Sequence, residues 1–309
     1  SVSARASGER VTGDVTGALR TWDLAPRLKP ETFRGDFNAW SSIRYTDDGR
    51  WLLATEQKRL LVYDQSHPNV VKRLSGHQEF IIGLASDPTS RFAATSSLDG
   101  TVKVWDLEAG SALHTFGTPL PPIEDPDDGR DYTSLHLTTR WQFARAIAFS
   151  LDGRLLFIGR NNGIGEVRDV LTGAVVAAFG PGGEPPGESS FNPRKGIFSA
   201  AFTPDRRYVV AGRANGSLAV KSLVDGSFKS FVIEGQAGEV TAIVAHRDAP
   251  TLSVSVASKP FSFATAHLGV GFGRRYSGHA RQAGSDLYGN ILRLALTDLF
   301  DGAVESKSY

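Results

Sequence analysis

The stretch that decides the fold is residues 74–116, LSGHQEFIIGLASDPTSRFAATSSLDGTVKVWDLEAGSALHTF. It contains three short runs of β-branched, aromatic and small residues, separated by Pro, Asp, Gly and Ser, which is the pattern of short strands joined by tight turns. The pair Gly76-His77 precedes the first run, and the pair Trp105-Asp106 ends the third. The stretch therefore predicts one small antiparallel sheet.

Weaker copies of this pattern occur on both sides of the stretch. With the stretch 74–116 included, the third runs end near Asp23, Asp64, Asp106, Asp169, Ser222, Phe263 and Leu296. The intervals from Asp23 to Asp64 and from Asp64 to Asp106 are 41 and 42 residues, which is the spacing of a repeat protein. We therefore predict seven repeats within a single domain, residues 1–309, while a count of six or eight stays open.

The stretch 74–116 resembles a WD40 repeat, the unit that forms one four-stranded blade of a β-propeller. The resemblance implies an all-β fold, a WD40-type β-propeller of seven blades with four antiparallel strands each. Because a single blade leaves two apolar faces, the blades bury these faces by stacking around an axis. The chain is thus expected to fold as a ring rather than as separate repeats.

The resemblance also assigns a structural role to polar residues of the best repeat. It implies a hydrogen-bonded tetrad within the blade, formed by His77, Asp99, Trp105 and a hydroxyl of Thr95 or Ser97. The same residue types could be read as a catalytic triad. In the tetrad, however, the carboxylate orients the histidine and the indole N–H is satisfied internally, so we expect no catalytic residue here.

Two longer intervals between repeats carry insertions, residues 117–140 and 180–195. The resemblance places both on the face of a propeller where partners dock. Long loops in compact domains are frequently functional, although a neutral surface insertion is the alternative. We expect these loops to border a recognition surface.

Aromatic and arginine side chains that anchor interfaces are also expected on this face. The predicted partner-binding residues are Phe80, Trp141, Phe143, Arg160 and Arg213. Ordinary packing between blades is the alternative for the aromatic residues.

Composition narrows the possible ligands. The 34 basic and 33 acidic side chains nearly cancel, so no whole-molecule field attracts nucleic acid or an anionic membrane. No apolar run approaches the roughly 18 residues that span a bilayer, so we predict no membrane insertion. The chain has no cysteine, and its seven histidines do not fall in metal-ligand spacing, so we expect no metal and no cofactor.

The beginning of the chain carries less information. There is no methionine, even at position 1. We therefore expect the chain to begin after processing, inside a longer chain, or after trimming. Its first ten residues lack the apolar core of a signal peptide, and the sequence identifies no compartment.

The favoured function is a non-catalytic WD40 scaffold that mediates protein–protein interaction as a subunit or accessory domain of a larger complex. One alternative is a sensor or regulatory propeller module of a longer multidomain enzyme or signalling protein. A second is a lactonase-like propeller hydrolase. That alternative would need a cluster of metal ligands near the axis, and the sequence shows no such cluster.

Overall fold

The computed structural model describes the chain at residues 2–4, 10–13, 18–22, 32–34, 40–67, 70–119, 143–180, 195–232, 238–245, 251–257 and 289–295. The regular elements in these ranges are 23 β-strands. The prediction of an all-β fold is therefore confirmed.

Consecutive strands form six sheets within the described residues, five with four strands and one with three. The first sheet contains β1 (Val2–Ala4), β2 (Arg10–Gly13), β3 (Ala18–Trp22) and β4 (Thr32–Arg34). The second contains β5 (Trp40–Tyr45), β6 (Trp51–Glu56), β7 (Arg59–Asp64) and β8 (Val71–Leu74). The third contains β9 (Ile81–Ser86), β10 (Phe92–Ser97), β11 (Val102–Asp106) and β12 (Ser111–Phe116).

The remaining sheets continue this order along the chain. The fourth contains β13 (Ala144–Phe149), β14 (Leu155–Arg160), β15 (Gly165–Asp169) and β16 (Val175–Phe179). The fifth contains β17 (Ile197–Phe202), β18 (Tyr208–Arg213), β19 (Ser217–Ser222) and β20 (Phe228–Val232). The sixth contains β21 (Val240–Ala245), β22 (Thr251–Ala257) and β23 (Gly289–Ala295).

The predicted repeat endings can be compared with the third strand of each sheet. Asp64, Asp106, Asp169 and Ser222 are the last residues of β7, β11, β15 and β19. Asp23, Phe263 and Leu296 lie outside the described residues. The strands nearest the sixth and seventh predicted endings, β22 and β23, pair with each other in one sheet. The count of seven blades is thus not confirmed and stays a prediction.

The chain divides into two compact units: Ser1–Ile158 with Arg168–Ala174, and Gly159–Val167 with Val175–Tyr309. In the first unit, β1 lies beside β5, β5 beside β9, and β9 beside β13, so the first strands of consecutive sheets are neighbours. In the second unit, β17 lies beside β21 in the same way. Within each unit, neighbouring sheets therefore contact each other through their first strands, as neighbouring blades of a propeller do.

Burial follows the position of a strand within its sheet. Every residue of the second strands β6 and β10 is buried, because apolar side chains of adjacent sheets cover both faces. One such core joins the second and third sheets through Trp51, Leu53, Trp105 and their neighbours. The fourth strands β12, β16 and β20 are largely exposed or half-buried. The outer edge of each of these sheets is therefore its accessible part.

The turn from the first to the second strand shows how the repeats are built locally. In the second sheet, Thr46 Oγ1 donates to Asp48 Oδ1 at 2.7 Å and accepts from the Trp51 N–H at 3.0 Å. The next residue, Gly49, has a φ of 69°, a left-handed conformation that glycine adopts without steric cost.

The third, fourth and fifth sheets repeat this arrangement. Ser150 and Asp152 make the same bonds in the fourth sheet, as do Thr203 and Asp205 in the fifth. In the third sheet the residue types are exchanged: Asp87 accepts from the Phe92 N–H at 2.6 Å, and the hydroxyl of Thr89 donates to Asp87. The left-handed positions are Ser90, Gly153 and Arg206.

Candidate functional site: a buried polar network and an exposed aromatic

The third sheet contains a buried chain of polar side chains. Trp105 Nε1 donates to Thr95 Oγ1 at 2.8 Å, and Thr95 Oγ1 lies 2.8 Å from His77 Nε2. His77 Nδ1 lies 2.9 Å from Asp99 Oδ2. None of these four residues is more than 6% exposed. The network thus joins β10, β11, the segment before β9 and the turn between β10 and β11.

Donor and acceptor chemistry assigns the direction of each bond. An ionised carboxylate only accepts, so His77 Nδ1 carries the proton that binds Asp99. The indole N–H only donates, so Thr95 Oγ1 accepts from Trp105 and keeps its own proton available for His77 Nε2. With the His77 proton on Nδ1, each donor in the chain has an acceptor.

Asp99 binds main-chain N–H groups of the turn in addition to His77. Its carboxylate accepts from the Gln78 N–H at 2.8 Å, the Thr101 N–H at 2.8 Å and the Thr101 hydroxyl at 2.6 Å. Burial opposes ionisation, but the hydrogen bonds from His77, Thr101 and Gln78 outweigh it and hold the pKa of the Asp99 carboxyl well below its usual range. The carboxylate is therefore charged at neutral pH and fully engaged.

The structure brings Thr95, rather than Ser97, between His77 and Trp105. Ser97 Oγ instead donates to the Glu79 carbonyl at 2.9 Å and accepts from the Asp99 N–H at 3.1 Å. The two hydroxyls therefore have different roles. Thr95 links Trp105 to His77, and Ser97 closes the turn.

Other sheets carry only part of this arrangement. In the corresponding turns of the fourth and fifth sheets, Asn162 and Asn215 accept from main-chain N–H groups at 3.1 Å, as Asp99 does. An amide keeps this turn bond without a buried charge. The position of Thr95 in the second strand is taken elsewhere by buried apolar residues, namely Ala54, Ile158 and Ala211.

Phe80 is a large aromatic residue on a fixed main chain. Its carbonyl accepts from the Leu98 N–H at 3.0 Å, and the next residue, Ile81, donates its N–H to the Gln57 carbonyl at 2.7 Å. Despite these anchors, Phe80 is 50% exposed. Phe80 therefore stands at the junction of the second and third sheets with its ring accessible.

The residue before Phe80 belongs to a charged pair. Glu79 is buried, and its carboxylate lies 3.8 Å from the Nζ of the exposed Lys58. No sequence pattern predicts that this glutamate is buried, because it lies in a polar turn between two strands. We call the exposed residues Gln57, Lys58, Gln78 and Phe80 the Phe80 face.

The other predicted partner-binding residues lie elsewhere. Phe143 and Arg213 are buried, so the prediction that their side chains contact a partner has no exposed surface to support it. Arg160 Nε lies 3.9 Å from Glu166 Oε1, and both side chains are mostly buried. Trp141 lies outside the described residues, as do residues 120–140 and 181–194 of the two insertions. The roles of Trp141 and the insertions stay predictions.

The described part of the chain has neither a membrane-spanning helix nor a cluster of metal ligands. Within it, no helix has the length and apolar character needed to cross a membrane. No group of three or more His, Asp or Glu side chains in those same ranges is arranged to hold a metal ion.

Comparison with known protein families finds a match to one segment of the chain. Residues 68–106, which include His77, Thr95, Asp99 and Trp105, match the family described as WD domain, G-beta repeat. This segment therefore matches a single WD40 repeat.

Several curated proteins are similar to the chain. Autophagy-related protein 16 of Arabidopsis thaliana is 26% identical over 74% of this chain and 48% of its own length. Apoptotic protease-activating factor 1 of Rattus norvegicus is 27% identical over 72% of this chain and 19% of its own length. Eukaryotic translation initiation factor 3 subunit I of Pyricularia oryzae is 29% identical over 33% of this chain and 31% of its own length. The chain thus spans less than half the length of these relatives.

Proposed function

We propose that this chain is a non-catalytic WD40 scaffold that binds another protein, as a subunit or accessory domain of a larger complex. The observation that carries the proposal is the half-exposed Phe80 ring on a main chain fixed by two hydrogen bonds. A relative named as a subunit of a translation initiation factor supports the assignment to a complex.

The physical argument rests on preorganisation. An aromatic ring on a fixed main chain loses little freedom when a partner covers it, so more of the burial energy appears as affinity. Covering the exposed half of a phenylalanine removes about 100 Å² of apolar surface from water, which is worth about 2.5 kcal/mol. The exposed Lys58 can orient the partner by pairing with one of its acidic groups.

The buried network supports a structural role for its members rather than catalysis. The Thr95 hydroxyl is fully buried and already bonded at both ends. A nucleophile must reach its substrate, and a hydroxyl sealed between three strands does not. We assign the network to holding the blade that presents the Phe80 face.

The test is the substitution Phe80→Ala. A stoichiometric partner is first purified with the protein from its native source, and its affinity is then measured with purified components. Removing the ring should weaken binding by roughly 10- to 100-fold. The thermal midpoint should change little, because the ring is half exposed.

Val70→Ala is the matched control, since Val70 is 49% exposed in the same unit but lies outside the Phe80 face. This control should bind as the unchanged protein does. Equal affinity of the Phe80→Ala and Val70→Ala proteins would refute the assignment of the surface.

A second candidate function is a sensor or regulatory module within a longer protein. It is favoured by the short share of the relatives that the chain matches, 48% and 19% for the two relatives aligned along most of it. The length of the natural coding sequence discriminates: a reading frame with a catalytic or signalling domain beside these residues would favour the module.

The hydrolase alternative has a direct test. A lactonase-like enzyme would require a bound divalent ion near the axis. Elemental analysis of the purified protein would favour this alternative if one stoichiometric divalent ion were found.

A further inference from the structure

Five described strands lie fourth in their sheets: β4, β8, β12, β16 and β20. A strand in this position offers one edge of main-chain N–H and C=O groups to other strands, and proteins commonly protect such edges with charged side chains. β4 carries Arg34, β8 carries Lys72 and Arg73, β12 carries His114, and β20 carries Lys229. β16, with the sequence VVAAF, carries no ionisable residue.

The side chains on two of these edges also bind the next sheet. Lys72 Nζ donates to the carbonyls of Leu107 and Glu108 at 2.9 and 2.8 Å. His114 Nε2 lies 3.0 Å from the carbonyl of Leu171. The two residues hold the same register position, because Lys72 lies opposite Val62 and His114 opposite Val104.

β16 has no such group at this position. Ala177 precedes Phe179 by two residues, as His114 precedes Phe116. An alanine has no polar atom on its side chain to donate to a neighbouring turn. β16 therefore lacks the ionisable side chain that the other fourth strands carry, and it lacks the cross-link that β8 and β12 make.

The apolar side chains at the start of β16 are accessible on both faces of the strand. Val175 is 52% exposed and Val176 is 49% exposed. Consecutive side chains of a strand point to opposite faces, so neither face is covered here. An incoming strand could place apolar side chains beside either valine.

We propose that β16 is a self-association edge, at which two copies of this chain pair their β16 strands in antiparallel fashion. An uncharged edge fits an uncharged strand, and β16 itself meets this requirement. With Ala177 opposite Ala177 of the second copy, Val176 faces Ala178 and Val175 faces Phe179, and no two charges are opposed. The same pairing of β8 would oppose Lys72 and Arg73.

The size of the edge predicts weak association. Pairing one five-residue strand covers far less than the roughly 800 Å² per partner of a standard stable interface. We therefore expect a reversible dimer with a dissociation constant on the order of 100 µM. Such a dimer forms at high local concentration, as when several copies are held in one assembly.

Sedimentation equilibrium of the whole chain between about 10 µM and 1 mM tests the proposal in the range where an interface of this size should dissociate. The average mass should rise from monomer toward dimer. Val176→Lys should abolish the rise, because two copies would then place added positive charge at the pairing edge. Val232→Lys is the matched control, since Val232 is an exposed valine on an outer strand that already carries a lysine, and it should associate as the unchanged chain does.

A cysteine probe reports the register. The chain has no cysteine, so a single introduced thiol can form a disulfide only between two chains. Ala177→Cys should give an oxidised dimer, whereas the control Ser230→Cys on β20 should remain monomeric.

Three outcomes would overturn the proposal. They are a monomer at every concentration, equal dimerisation of the Val176→Lys protein, and equal cross-linking of the two cysteine variants. A monomeric chain that binds a synthetic AVVAAF peptide would likewise overturn self-association, and would assign the edge to a strand from another protein.

Discussion

The buried network makes a quantitative prediction for Thr95. Replacing it with valine keeps the shape of the side chain but removes the one hydroxyl between Trp105 and His77. The indole N–H then has no acceptor, and His77 Nε2 has no donor. Both groups lie in a site that is at most 6% exposed, so water cannot replace the bond without opening the sheet.

The expected cost follows from these two groups. Each buried polar group left without a partner costs about 1–3 kcal/mol, and the isosteric exchange adds little cavity cost. We therefore expect Thr95→Val to lower the free energy of unfolding by about 3 kcal/mol. The assay is urea denaturation at pH 7, followed by tryptophan fluorescence and circular dichroism.

Thr115→Val is the matched control. Thr115 also accepts a hydrogen bond, from Lys103 Nζ at 2.9 Å, but this bond is exposed to solvent. Water replaces this bond, so the control should stay within about 0.5 kcal/mol of the unchanged protein.

A double-mutant cycle separates the network from general packing. In a Trp105→Phe background no indole N–H is present to lose its acceptor, so Thr95→Val should cost at least about 1 kcal/mol less there. If Thr95→Val were as mild as Thr115→Val, or if its cost were the same in both backgrounds, the reasoning about unpaired groups would be refuted.

The remaining predictions concern pH, two left-handed turn positions and one close approach within a strand. Because the pKa of Asp99 is lowered in the folded chain, its stabilising effect is complete above the ordinary carboxyl pKa and is lost as pH falls below about 4; urea titrations from pH 5 to pH 2.5 should show a shallower decline for Asp99→Asn. Arg206 has a φ of 61°, so Arg206→Gly should raise the free energy of unfolding by about 0.5–1 kcal/mol. The reverse change, Gly226→Ala at φ 71° in open space, should lower it by a similar amount, and an opposite sign for either variant would contradict the strain argument. A Cβ at Gly212 would lie 2.3 Å from Val240 Cγ1 and 2.6 Å from Ser199 Oγ, so Gly212→Ala should cost about 1–3 kcal/mol by overpacking; calorimetry showing an unchanged midpoint would exclude this close approach.

The strands and turns could be predicted from the sequence because they depend on residue type and spacing. Runs of β-branched and aromatic residues between Asp, Gly and Pro predicted the strands, and the ends of β7, β11, β15 and β19 fall at the residues that the repeat pattern marked. These features follow from alternation and turn chemistry within one sheet.

The sequence pattern could not decide between Thr95 and Ser97 as the hydroxyl of the network. Two residues apart on β10, both hydroxyls should share one face in a regular strand. The pairing of β10 with β9 shifts between Ser96 and Ser97, and this irregularity carries Ser97 toward the Glu79 carbonyl. Nothing in the residue types signals such a shift.

Accessibility was the other property that the sequence could not give. Phe80 and Phe143 both precede the first strand of a sheet, yet the first is half exposed and the second is buried. Arg213 is also buried, with its guanidinium 5.7 Å from the centre of the Phe228 ring. Whether an aromatic or an arginine faces solvent depends on what the neighbouring sheet places over it, which is a non-local property.

The fall in burial from the second strand to the fourth has a consequence for local opening. Amide groups of β10 lie under apolar side chains on both faces, so their exchange with solvent requires separation of whole sheets. Those of β12, β16 and β20 are covered by few apolar contacts, so these strands can detach at a much smaller free energy while the inner strands stay paired. The protein should therefore fray from its rim inward, with its outermost strands sampling open forms long before the fold is lost.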